Sequence, residues 1–170
     1  MERQIKFRAK DTFKSEFFPQ RWLYGTPVQD GDDMWMCVKK EDKGIVSVKV
    51  DPNTLGQFTG LTDSNGKEIY EGDILEAIYK YEDVSGGAVI PDCDCICKGV
   101  VEWNGVVAGW VLKAQTAEYP MKEMLEEHET DLIPINVFYC DYMGADYPNE
   151  CIEVIGTIHD NPELFKTERK

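Results

Sequence analysis

Short runs of aromatic and β-branched residues recur along this chain between glycine, proline, asparagine and aspartate, and a single short segment carries a helical apolar period. This pattern constrains the fold most strongly, because period-two runs of about four to eight residues bounded by turn formers build strands. Ile5, Phe7 and Ala9 alternate with Lys6, Arg8 and Lys10, which predicts a strand with one buried and one solvated face. Arg21-Trp22-Leu23-Tyr24, Met34-Trp35-Met36-Cys37-Val38 and Ile45-Val46-Ser47-Val48-Lys49-Val50 follow, separated by Gly25-Thr26-Pro27, Asp30-Gly31 and Lys43-Gly44. They predict an antiparallel meander.

Asp51-Pro52 opens a turn, and Asn65-Gly66, a pair that tolerates positive φ, suits a tight hairpin. After Glu71-Gly72-Asp73 the strand pattern resumes at residues 74–79, 99–103 and 110–112, with a turn at Asn104-Gly105 and a last strand at 152–158. Met121, Met124, Leu125 and His128 would share one face of the short acidic helix. Asn161 is placed to cap a helical turn begun by Pro162. The fold class expected is therefore mostly β. Residues 1–66 form an N-terminal antiparallel sheet region, and residues 67–165 a small β-barrel with insertions at 81–98 and 114–149. Closure would remove exposed strand edges. Residues 166–170 read as a frayed tail.

The chain has 170 residues and a formal net charge of -14. A surface that negative repels phosphate backbones, so direct nucleic-acid binding is not expected. Residues 1–21 nevertheless hold six bases against three acids, which leaves -17 for the remainder. A solvated strand face at Lys6, Arg8 and Lys10 is one reading of that basic start, and a phosphate-contacting arm is the other. No run approaches the ~20 apolar residues of a membrane-spanning helix, and the opening residues do not form a signal-like apolar block. A cytoplasmic protein with no membrane partner is expected.

Six cysteines, at 37, 93, 95, 97, 140 and 151, are read as free thiols in that compartment. Cys93, Cys95 and Cys97 suggest a metal ligand set, yet residues two apart on a strand stand ~7 Å apart, too far to converge unless the segment bends. Gly60 and Gly66-Lys67 miss the phosphate-loop spacing by one residue, and Glu68 stands where the magnesium-binding hydroxyl belongs. Asp63, Asn65 and Gly66 mimic only part of a calcium loop. His128 and His159 lie in no signature with a serine or cysteine nucleophile. No catalytic residue, cofactor-binding residue or metal ligand is nominated, and no cofactor is expected.

The stretch from Val50-Asp51-Pro52-Asn53-Thr54 through Gly56-Gln57-Phe58-Thr59-Gly60-Leu61-Thr62-Asp63-Ser64-Asn65-Gly66-Lys67 to Glu71-Gly72-Asp73-Ile74-Leu75 resembles the signature of the YopX family of phages and prophages. Arg3 to Arg8 is similar to that family's opening strand, and Ile152-Glu153-Val154-Ile155-Gly156-Thr157-Ile158-His159-Asp160-Asn161-Pro162-Glu163-Leu164 to its closing strand and turn. The resemblance implies an N-terminal sheet region and a C-terminal barrel similar to Src-homology-3 domains. It also implies a mobile-element origin, and it brings no activity or ligand with it. Lys10 departs from the aromatic of the pattern, and residues 81–98 and 114–149 exceed its length. Sharp turns at the signature glycines account for the motif structurally, and ligand binding by Gln57, Thr59 or Tyr70 is the functional alternative.

These features predict a non-enzymatic accessory protein that binds an unidentified host or phage protein, with self-association left open. An acidic mimic of DNA that occupies a host nucleic-acid-binding protein is the alternative, centred on residues 118–131 with six acids and one base. A cysteine-rich metal-dependent module is the third reading.

Overall fold

A computed structural model describes residues 4–13, 20–83, 90–119, 121–139 and 152–165. The chain divides into two compact units, residues 1–61 and residues 62–170.

In the first unit, β1 (Phe7–Lys10), β2 (Trp22–Asp30), β3 (Asp33–Lys40), β4 (Gly44–Val50) and β5 (Gly56–Thr62) run in the order β4-β3-β2-β1-β5. Every pairing among them is antiparallel. Pro27, which lacks an amide donor, pairs with Met36 of β3 beyond the span that β1 covers, so it interrupts no ladder on its other side. Ala9, Met36 and Val50 are fully enclosed, with Phe7, Leu23, Met34, Val38 and Leu55 packed around them. Gly25 is required by close approach, since a Cβ there would lie 2.1 Å from the Cys37 carbonyl oxygen.

The turn after β4 explains the Asp51-Pro52-Asn53-Thr54 run. The Asp51 carboxylate accepts from the Asn53 amide at 3.0 Å and the Thr54 hydroxyl donates to the Asp51 carbonyl at 2.8 Å. That hydroxyl accepts in turn from the Lys10 amide at 2.8 Å, which ties the turn to β1. Asp11, buried beside it, accepts a forked pair of bonds from the Arg21 guanidinium at 3.0 and 2.9 Å.

In the second unit, β6 (Glu68–Tyr70), β7 (Asp73–Asp83), β8 (Ile90–Asn104), β9 (Gly109–Ala117), β10 (Leu132–Pro134) and β11 (Ile152–Thr157) accompany one helix, α1 (Met121–Glu127). The sheet order is β10-β9-β8-β7-β11, antiparallel throughout. Ile74, Leu75, Ala77, Val101, Val111, Leu112, Ile133 and Ile152 form its apolar interior. The observed architecture is thus mostly β, with two antiparallel sheets. The described strands form an open ladder, and no closed barrel is found among them. Of the residues read as insertions, 81–83 and 90–98 lengthen β7 and β8, and those after β9 supply α1 and β10; residues 84–89, 120 and 140–149 lie outside the described residues.

Two local readings need correction. Only Met121 and Leu125 of α1 are buried, whereas Met124 is exposed, because a helix of seven residues presents a single i, i+4 pair to the sheet. Asn161 does not cap the turn at Pro162–Phe165 with its side chain. Its side-chain oxygen points back and accepts from the Thr157 amide at 3.4 Å.

Candidate functional site

The basic face of β1 is not a solvated one. Arg8 and Lys10 are 4% and 7% exposed, and both cations lie over the Trp22 ring, at 4.5 and 5.4 Å from its centre. Lys6 lies 5.2 Å from the centre of the Phe58 ring. The register Lys10↔Trp22 brings the indole beside the cations, and their aliphatic stems cover it. Burial on this scale withdraws Arg8 and Lys10 from any phosphate backbone.

The turn within the signature is built around Asp63. Its Oδ1 accepts from the Asn65 and Lys67 amides at 2.9 and 2.8 Å, and its Oδ2 from the Val154 amide at 3.2 Å. Ser64 donates to the Ile152 carbonyl from both its amide and its hydroxyl, each at 2.9 Å. Gly66, at φ +78°, makes the reversal that the dipeptide predicted. Farther on, the Gly72 amide donates to the Val101 carbonyl and the Gly72 carbonyl accepts from the Ile158 amide. The central stretch of the signature and its closing block are therefore held together by hydrogen bonds, which is a structural use. Of the residues considered for a ligand, the Thr59 hydroxyl accepts from the Leu61 amide at 3.2 Å and the Tyr70 hydroxyl donates to Glu68 at 2.6 Å.

The thiols are closer than strand spacing alone predicts. Cys95 and Cys97 share one face of β8, and their sulfurs lie 3.8 Å apart. The Cys95 thiol donates to the Glu118 carbonyl at 3.0 Å. The Cys97 thiol is pushed up to about 12 by burial first, then by Cys95 beside it and by Glu118. A thiol held protonated in this way is no nucleophile at neutral pH. Cys37 sits apart, 3.4 Å from the Ser47 hydroxyl. The Cys93 side chain, Cys140 and Cys151 lie outside the description. Among the described residues, no three His, Cys, Asp or Glu side chains converge on one point.

Two surface features remain. An open groove of about 680 Å³ runs between the end of β9 and α1, lined by Gln115, Lys122, Leu125, Glu126, Glu129 and Asp131 among others. Glu129 holds φ +50° in the turn that ends the helix. The other feature is the β8–β9 hairpin tip, where Val106 is 94%, Val107 53% and Trp103 48% exposed. Trp110 meets Trp103 edge-on, with ring centres 5.2 Å apart at 77°. Asn104 Oδ1 accepts from the amides of Val106 and Val107, at 2.9 and 3.1 Å, so the loop is braced while its side chains face solvent. The sequence showed the Asn104-Gly105 turn. Exposure of the two valines depends on the β8–β9 register, which a single sequence does not display.

A family profile described as YopX protein matches residues 6–166. The chain belongs to the YopX family. The match spans both units and includes the Asp51 turn, the Asp63 turn and β11. No curated protein matches the chain. Among solved structures, it is similar to the crystal structure of protein EF1440 from Enterococcus faecalis, at 21% identity and a TM-score of 0.40, covering 96% of this chain and 99% of that one. No helix among the described residues is long and apolar enough to cross a membrane.

Proposed function

We propose that this YopX-family chain is a non-enzymatic, cytoplasmic accessory protein of phage or prophage origin that binds another protein through the β8–β9 hairpin tip. The observation that carries the reading is the exposure of Val106 and Val107 on one braced turn and of Trp103 on the strand that enters it. Single exposed apolar residues are ordinary, but a tryptophan and two valines all exposed within five residues of one hairpin end gather apolar surface in one place. Tryptophan is also among the residues that dominate binding energy at interfaces. Because Asn104 holds the turn, little backbone entropy is lost when a partner covers it. Pull-down from the producing bacterium with the wild-type chain and with Val106→Asp tests the reading. A partner captured by the first and lost with the second supports it. Equal capture by both removes the tip from the interface, and turnover of a defined small substrate by the purified protein removes the non-enzymatic reading.

A second reading has an observation of its own. Glu123, Glu126, Glu127 and Glu129 are all exposed along α1 and the turn that follows, as carboxylates standing in for DNA phosphates would have to be. A mimic's complex weakens steeply between low and physiological salt and is displaced by duplex DNA. Changing those four residues to glutamine would abolish it, while a complex made by the hairpin tip would persist.

A further inference from the structure

Cys95 and Cys97 offer something that neither the family nor the proposed interaction uses. Their sulfurs are 3.8 Å apart, and both residues are fully buried on one face of β8. Two sulfurs that share an ion at metal–sulfur distances of ~2.3 Å can be no more than ~4.6 Å apart, and this pair meets that limit. A disulfide is a poorer fit. Alternate positions on an extended strand are ~7 Å apart, whereas bridged cysteines bring their Cβ atoms to ~3.8 Å. The sulfurs converge where the backbone beneath them does not.

We propose that Cys95 and Cys97 form a two-sulfur site for a soft monovalent ion of the copper group. Zinc would need four donors, and no third His, Cys, Asp or Glu side chain converges on the pair among the described residues. Both sulfurs are closed off from solvent, so water does not readily complete a harder ion's shell. Soft thiolate ligands select Cu(I), which two sulfurs can satisfy. When the ion arrives, the first thiol releases its proton to the buffer and the site stays neutral, one thiolate against one cation. Release of the second proton leaves one net negative charge beside Glu118, whose carboxylate already accepts from the Ile96 amide at 3.2 Å. Glu118 is exposed, and its carbonyl accepts from the Cys95 thiol.

The test loads the full-length reduced protein with Cu(I), anaerobically, against a competing chelator. Wild type and Cys37→Ala should each retain one more equivalent than Cys95→Ala or Cys97→Ala, and retention should strengthen as pH rises. Equal retention by all four proteins overturns the site, as does equal retention of zinc by wild type. Should the buried alanine variants unfold, copper-edge X-ray absorption on loaded wild type decides alone. Two sulfur neighbours support the assignment; three or four neighbours, or any nitrogen or oxygen neighbour, overturn it.

Discussion

The Asp63 carboxylate accepts the Val154 amide at 3.2 Å across 91 residues of chain, joining the turn at the heart of the signature to the closing strand. Its other oxygen satisfies the Asn65 and Lys67 amides, so one buried side chain answers three backbone donors. Asp63→Ala leaves those donors without an acceptor, at about 1–3 kcal/mol for a buried group. Urea denaturation should show a loss of about 3 kcal/mol, with Asp63→Asn intermediate because its amide nitrogen cannot accept. A loss below about 1 kcal/mol would mean that the turn and β11 hold together without the carboxylate.

Gly99 is the position in the second sheet where a side chain fits least. A Cβ there would lie 2.3 Å from the Lys113 carbonyl oxygen, beside the register shift between β8 and β9. Gly99→Ala must push two hydrogen-bonded strands apart and should cost about 1–3 kcal/mol, the range of overpacking. Thermal melts check this, and an unchanged midpoint would mean that the bulge relaxes freely.

Glu129 gives the opposite expectation. The Thr130 amide donates to the Leu125 carbonyl and the Glu129 amide to that of Glu126, the Schellman arrangement in which glycine is preferred at the left-handed position. Glu129 holds φ +50° there, so Glu129→Gly should raise stability by about 1 kcal/mol, read as a higher melting temperature. A lower temperature would mean that the Glu129 side chain contributes more than its backbone costs.

The Cys97 thiol, moved from 9.0 to about 12 chiefly by burial, sets a pH dependence. In this window the folded state keeps a proton that the unfolded chain releases, so the contribution is full below pH 9.0 and lost as pH rises toward about 12. Stability of wild type relative to Cys97→Ala should fall between these limits, by no more than about 1.4 kcal/mol per pH unit. Parallel denaturation curves for the two proteins above pH 9.0 would show that the thiol ionises equally in both states.

What could be read from the sequence was local. Alternation at Phe7 and Ala9 and the punctuation at Asp30-Gly31, Lys43-Gly44 and Asn65-Gly66 place strands and turns because those effects act within a few residues. The burial of Arg8 and Lys10 was not legible, since it follows from the neighbouring strand's register, which sets Trp22 beside them. The thiol pair was legible as residues but not as a site, because its sulfur separation depends on how two side chains lean. Expected closure into a barrel rested on strand count and spacing, and these do not determine which edges meet. The exposure of Val106 and Val107 follows from the Asn104↔Gly109 pairing, which leaves both in the turn.

Oxidative footprinting of the chain alone and in complex with its captured partner tests the interaction reading most directly. Trp103 and Val106, exposed in the free chain, should become protected while Met124 of α1 remains reactive. Protection at Met124 with Trp103 and Val106 still open would contradict the account and move the interface to the acidic helix.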